Sequence, residues 1–188
     1  MTSRVVLGVS GASGAALALA TAQHLRELEC EIDLVVSKAA ERTLAEECSQ
    51  GAFDRLTALA TTVHDIANIG ASIASGSGAV KGMIVAPCSM RSLAAIACGM
   101  DDNLLTRAAG VQLKERRKLV LMTREAPLTL AHLRNMTAVT EMGGIILPPV
   151  PAFYLKPANL EAVVVQIAAR AVNLLGFEIS VGQAWLDN

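Results

Sequence analysis

Short apolar runs alternate with stretches of helical periodicity along the whole chain, and each run reads as a strand and each periodic stretch as a helix. The first run, residues 5–9 after Arg4, is built of Val, Leu and Gly and predicts a buried strand. It passes through Ser10-Gly11-Ala12-Ser13-Gly14 into an alanine-rich segment, 15–28, with helical spacing and no Pro. Residues 31–36 predict a second strand ending in Ser37, and 38–48 a second helix. Residues 49–81 are less regular: apolar patches around 56–60 and small polar residues over 71–78 predict one irregular helix or turn and a flexible loop.

Periodicity returns at residues 82–86, a compact buried strand stopped by Pro87, followed by Cys88-Ser89-Met90-Arg91-Ser92 and a helix to about Cys98. A helix over 103–114 takes Asp101 or Asp102 as its N-cap, and 118–123 is the next strand. Residues 129–142 are helical and end at Gly143-Gly144. Residues 145–147 form a last short strand, and 148–154 hold too many prolines for a central strand and read as an extended loop. Asn159 caps a long apolar helix to about Leu175.

Strands alternating with helices predict a single-domain α/β fold over residues 1–188, with an open, doubly wound, mostly parallel sheet of Rossmann-like or flavodoxin-like type and helices on both faces. Ligands of such sheets lie outside the carboxyl ends of the strands. Ser13, Ser37, Ser89, Ser92, Arg124 and Tyr154 all fall there on this reading.

The first turn has small residues and bare N–H groups at a helix N-terminus, which suit an anion. Its glycines are spaced G-x-x-G-x-x-G, matching neither the dinucleotide fingerprint nor a P-loop, so a turn small only for packing is an equal reading. A nicotinamide site places an acidic residue at the end of the second strand, where this chain has Ser37-Lys38. Hydroxyl donors around a helix N-terminus suit a single phosphate and a ribityl chain, which points to FMN, although the chain has few aromatic residues to stack on the ring. Arg107, Lys114, Arg124 and Arg170, placed near the same strand ends, exceed the needs of one phosphate and imply a second anionic ligand; for Arg107 and Lys114 a solvated helix face is the alternative. Glu47 and Glu125 are candidate acids or bases, and Glu125 is the better placed, where a strand has ended. His24 and His132 read as surface or structural residues, and Cys88, with no His to activate it, as a small packing residue.

Composition narrows the classes further. A net charge of −1 gives no basic footprint for nucleic acid or an anionic membrane. The apolar run at the N-terminus is broken at residues 10–14, which argues against a signal peptide, and no run reaches the length of a membrane span. Four cysteines without a C-x-x-C pair, and histidines off ligand spacing, argue against a metal site or disulfide scaffold and for a reduced, cytoplasmic setting. At 53% hydrophobic residues in 188, some apolar surface is expected between subunits of a homo-oligomer. Residues 176–188, with Trp185, read as a loose end or a lid.

The ordered motifs Gly11-Ala12-Ser13-Gly14, Val36-Ser37-Lys38-Ala39-Ala40, Ala74-Ser75-Gly76-Ser77, Pro87-Cys88-Ser89, Arg107-Ala108-Ala109, Leu113-Lys114-Glu115-Arg116-Arg117, Arg124-Glu125-Ala126-Pro127 and Pro151-Ala152-Phe153-Tyr154 run through the whole chain. On them it resembles the UbiX-type flavin prenyltransferases of the UbiX/Pad family, once described as small subunits of aromatic acid decarboxylases. The resemblance implies a metal-independent transferase that joins the dimethylallyl group of dimethylallyl phosphate to N5 and C6 of reduced FMN. The product, prenylated FMN, would serve a UbiD-type decarboxylase, and the assembly would be a dodecamer of trimers. It also implies that Gly11, Ala12, Ser13, Ser37, Ser89, Met90, Arg91, Ser92 and Arg124 bind FMN. Arg107, Lys114, Tyr154 and Arg170 would bind the allyl phosphate, and Ser13, Glu47, Lys114 and Glu125 would act in catalysis, with Glu46 competing for the place of Glu47. Two alternatives share the fold: a flavin-dependent decarboxylase of peptidyl-cysteine type and a non-catalytic FMN-binding subunit.

Overall fold

The computed structural model describes residues 2–180. One six-stranded sheet, with every pairing parallel, carries the strands in the order β3-β2-β1-β4-β5-β6. The strands are β1 Arg4–Val9, β2 Glu31–Val36, β3 Thr62–His64, β4 Gly82–Cys88, β5 Lys118–Thr123 and β6 Ile145–Ile146. The helices are α1 Ala16–Glu27, α2 Lys38–Glu47, α3 Ala52–Leu59, α4 Met90–Ala97, α5 Leu104–Lys114, α6 Leu130–Glu141 and α7 Leu160–Leu174, with 3-10 turns at Ser72–Ala74 and Phe153–Leu155. This is the Rossmann strand order, in which the direction of winding reverses between β1 and β4. Among the described residues no helix is long and apolar enough to cross a membrane.

The central strands are apolar at consecutive positions because both of their faces are covered. Alternation then divides each strand between two cores. Val5, Leu7, Val9, Ile84, Ala86, Val120 and Met122 pack under α1, α2, α3 and α7. Val6, Met83, Val85, Leu119 and Leu121 pack under α4, α5 and α6. Winding in opposite directions from the switch point puts α1 and α5 on opposite faces, so their neighbouring ends leave a crevice at the carboxyl ends of β1 and β4.

Three details differ from the expectation. The segment 49–81 contains a full helix, α3, and an additional edge strand, β3. β3 is only three residues long, two of them exposed, so it carries no apolar pattern; its pairing with β2 and the contact of His64 Nε2 with Asp33 Oδ1 at 2.9 Å define it instead. Pro87 does not stop β4, because the register shifts between Val85 and Cys88 and the strand rejoins β5 opposite Thr123. The N-cap of α5 is Asn103, whose side chain accepts from Thr106 N at 3.1 Å, whereas Asp102 faces outward to Arg91.

Candidate active site

The turn from β1 to α1 is tied to the turn from β4 to α4 through Ser10. Its buried hydroxyl donates to Pro87 O at 2.9 Å and accepts from Ser89 N at 2.7 Å, while Ser10 N also donates to Pro87 O. Gly11 presses against Ala39 at the start of α2 so closely that a Cβ would overlap the Ala39 side chain. Gly14, at φ +103°, takes a backbone conformation that L side chains rarely adopt. Small residues are therefore required here both for packing and for the path of the chain.

Ser37 caps α2, its hydroxyl accepting from Ala40 N at 3.1 Å, and Ser89 caps α4, accepting from Ser92 N at 3.3 Å. These two helix starts meet at a cavity of about 420 Å³ lined by Ser10, Gly11, Ser37, Ala39, Ser89 and Ser92, with Ile66, Arg91, Asn103 and Leu105 completing it. The first N–H groups of a helix have no partner within it, so Lys38 and Ala39 on α2, and Met90 and Arg91 on α4, present donors and two positive dipole ends to one space. That donor set fits a phosphate monoester with a polyhydroxyl chain. Ala39, Ile66, Asn103 and Leu105 were not foreseen; only Asn103, a cap-forming residue type just before an apolar helix, left a mark in the sequence.

The start of α1 is different. The N–H groups just ahead of it, in the turn expected to hold a phosphate, already carry an anion: Glu47, the last residue of α2, accepts from Gly14 N at 2.7 Å and Ala15 N at 2.9 Å. Burial pushes the Glu47 carboxyl up, but the Ser13 hydroxyl, the two N–H groups and the charge of Arg124 outweigh it and hold the group below the usual carboxylate range. Arg124 leaves β5 with its N–H on Cys88 O and its Nε on Ser13 O at 3.1 Å. Ser13, Glu47 and Arg124 thus form one cluster at the mouth of the crevice. Glu46 pairs with Arg42 on the surface at 2.7 Å, and this separates the two adjacent glutamates. Glu125 is exposed, and its Oε1 accepts from Ala126 N at 3.0 Å.

Tyr154, on the turn at Phe153–Leu155, and Arg170, on α7, share a separate recess of about 250 Å³ between that turn and the helix. Arg107 and Lys114 share a third, of about 540 Å³, on one face of α5 against Ser75 and Gly76. Lys114 ends α5 and is paired with Glu115 at 3.0 Å. Because α5 runs back to the start of β5, Lys114 stands at the amino ends of the strands, opposite the crevice; the expectation that it lies with Arg124 near the carboxyl ends fails within one chain. Among the described residues no group of three His, Cys, Asp or Glu could hold a metal ion. Burial pushes the Cys88 thiol up to about 12, which suits a packing residue. His24 bonds to Val165 O, and His132 closes the capping box of α6, both structural roles. Trp185 lies outside the described residues.

The chain is similar to known proteins over nearly its whole length. The Flavoprotein family model matches residues 1–171. A flavin prenyltransferase UbiX of Neisseria meningitidis serogroup B is 52% identical over 185 residues, spanning 98% of this chain and 97% of that protein. The crystal structure of AnUbiX (PadA1) in complex with FMN and dimethylallyl pyrophosphate is similar with a TM-score of 0.95 at 44% identity, covering 98% of both chains. A dodecameric FMN-dependent UbiX-like decarboxylase from Escherichia coli O157:H7 follows at a TM-score of 0.93 and 44% identity, over 97% of this chain and 98% of that one. With this strand order, this crevice and such identity over nearly its whole length, the chain belongs to the Flavoprotein family, among the UbiX flavin prenyltransferases.

Proposed function

We propose that the chain transfers the dimethylallyl group of dimethylallyl phosphate to N5 and C6 of reduced FMN, giving prenylated FMN and inorganic phosphate. The observation that carries this reading is the pairing of a crevice whose donors suit a phosphate, made by the starts of α2 and α4, with an adjoining Ser13–Glu47–Arg124 cluster at the same strand ends. Reduced flavin supplies the nucleophilic nitrogen and ring carbon. Gly11, Ala12 and Ser13 line its way past β1, Ser37 and the segment Ser89, Met90, Arg91 and Ser92 hold its phosphate and ribityl chain, and Arg124 adds a positive charge.

Breaking the allylic C–O bond without a metal requires fixed cations and donors around the departing phosphate. Tyr154 and Arg170 offer a hydroxyl and a guanidinium in one recess. Arg107 and Lys114 offer two more cations, and since Lys114 stands at the far end of its own sheet, they reach the reacting phosphate from a neighbouring copy of the chain. Large apolar side chains in solvent, Val150, Phe153 and Leu160, support such self-association, as does the dodecameric relative. Glu47, held ionised, and Glu125 would carry protons at the reacting centre, and the released phosphate can take the last one. The product would pass to a UbiD-type decarboxylase in the cytoplasm.

Anaerobic incubation with reduced FMN and dimethylallyl phosphate, followed by mass spectrometry of the flavin, tests the reading. A gain of one prenyl unit is expected; folded, flavin-loaded protein that gives none would overturn it.

A further inference from the structure

The recess of Tyr154 and Arg170 contains a polar group that the reading above leaves without a task. Two amides line it besides. Asn173 is committed, its carbonyl accepting from Ile179 N at 2.7 Å and its amide donating to Ile179 O at 2.9 Å, which fixes one wall. Gln166 is not: its Oε1 is buried and, among the described residues, has no hydrogen-bond partner. An unpaired buried acceptor costs free energy, and such a group calls for a partner in the working state.

The partner is on the same helix. Gln166 and Arg170 are four residues apart on α7 and line the same recess, which sets their Cβ atoms about 5–6 Å apart. Among the described residues no carboxylate lies within ion-pair distance of Arg170. We propose that Gln166 is a positioning residue for the allyl phosphate: its carbonyl accepts one N–H of Arg170 when the guanidinium turns into the recess, leaving the other N–H groups aimed at phosphate oxygens. The neutrality of the acceptor is the point of the arrangement. A carboxylate there would orient the guanidinium equally well but cancel the charge that the phosphate needs.

The inference rests on Tyr154 and Arg170 being the phosphate holders, and the test separates the two. Wild-type protein must first show prenyl transfer; if it does not, the broader reading fails. Given transfer, Gln166→Met, nearly isosteric and unable to accept, is expected to raise KM for dimethylallyl phosphate several-fold. Gln166→Glu is expected to raise it more, by about tenfold or beyond, since it neutralises Arg170 as well. In both, the Kd for FMN stays at the wild-type value. Inhibition by inorganic phosphate weakens in parallel with the KM change, while inhibition by dimethylallyl alcohol, which has the chain without the charge, does not move. If Gln166→Glu fails to fold, Gln166→Met carries the test. An unchanged KM in the folded variants, or equal losses toward phosphate, alcohol and FMN, would overturn the proposal.

Discussion

The Glu47 carboxylate lies 2.7 Å from the backbone nitrogen of Gly14, so that the last residue of α2 supplies the anion at the start of α1. A turn built to receive a negative charge has been given one by its own chain. The starts of α2 and α4 are left open to a second, ligand-borne anion, and what stands at α1 is a carboxylate held next to Ser13 and Arg124.

Replacing Glu47 by Gln tests this arrangement through both activity and pH. A carboxylate whose pKa falls on folding adds stability above its unfolded pKa and loses it as the pH drops through the lower folded value. Glu47 is such a group. Solvent exposure of the side chain limits the increment at neutral pH to about 0.5 kcal/mol. Urea unfolding of Glu47→Gln should show that small deficit at neutral pH and none once the pH is below the folded pKa of Glu47. Prenylation should slow by about a hundredfold or more if the group carries a proton in the reaction. A rate within a few-fold of wild type would leave Glu47 a helix cap alone.

Ser37 and Ser89 each have two places in the structure, as caps of α2 and α4 and as walls of the cavity between them, which we propose holds the flavin. Ser37→Ala and Ser89→Ala should each cost about 1 kcal/mol of stability through the lost cap. If the cavity holds the flavin phosphate, FMN affinity falls as well, and it falls more in the double variant. Calorimetric melting and fluorescence titration with FMN measure the two effects separately. Reduced stability with unchanged FMN affinity in both variants would move the phosphate elsewhere.

The repeated pattern of strand, serine-bearing turn and helix was legible because parallel strands covered on both faces must be apolar throughout, while the caps Ser37, Ser89 and Asn159 use residue types with few other uses at helix starts. β3 was not legible, since a three-residue edge strand buries too little to impose a pattern. Residues of the first turn could be placed but not their partner: small residues and bare N–H groups at a helix start suit an anion, whereas the choice between a phosphate and Glu47 depends on how α2 ends 33 residues later. Lys114 was misplaced for a related reason. Its position on a helix was readable, but which end of the sheet that helix reaches follows only from the direction of winding.

Gly11 sets the gap between the first turn and α2. A methyl group there meets Ala39, whose backbone cannot withdraw without moving Ser37 and its cap. Gly11→Ala should therefore destabilise by about 1–3 kcal/mol and shift the start of α2 away from the crevice. FMN affinity should fall with it, and Gly143→Ala, which has open space around its Cβ but also a positive φ, is the control: it should lower the melting temperature without touching FMN binding. Unaltered FMN affinity in Gly11→Ala would mean that the crevice tolerates the wider gap.

The separation of Lys114 from Arg124 within one chain gives the sharpest test of how the site is assembled. Lys114→Ala removes only an exposed pair with Glu115, so its stability should stay within about 0.5 kcal/mol of wild type. FMN binding should be retained while prenylation is lost. Arg124→Ala should be inactive for a different reason, weak flavin binding. If Lys114 serves the crevice of a neighbouring copy, mixed oligomers from co-expression of the two inactive variants contain sites that take an intact Arg124 from one chain and an intact Lys114 from another. With equal, random incorporation about a quarter of the sites are complete, and activity should return to that fraction of wild type. If instead both residues serve the same crevice of one chain, no mixture contains a complete site. The co-expressed sample then stays as inactive as either parent, and the transfer centre must be sought within a single copy.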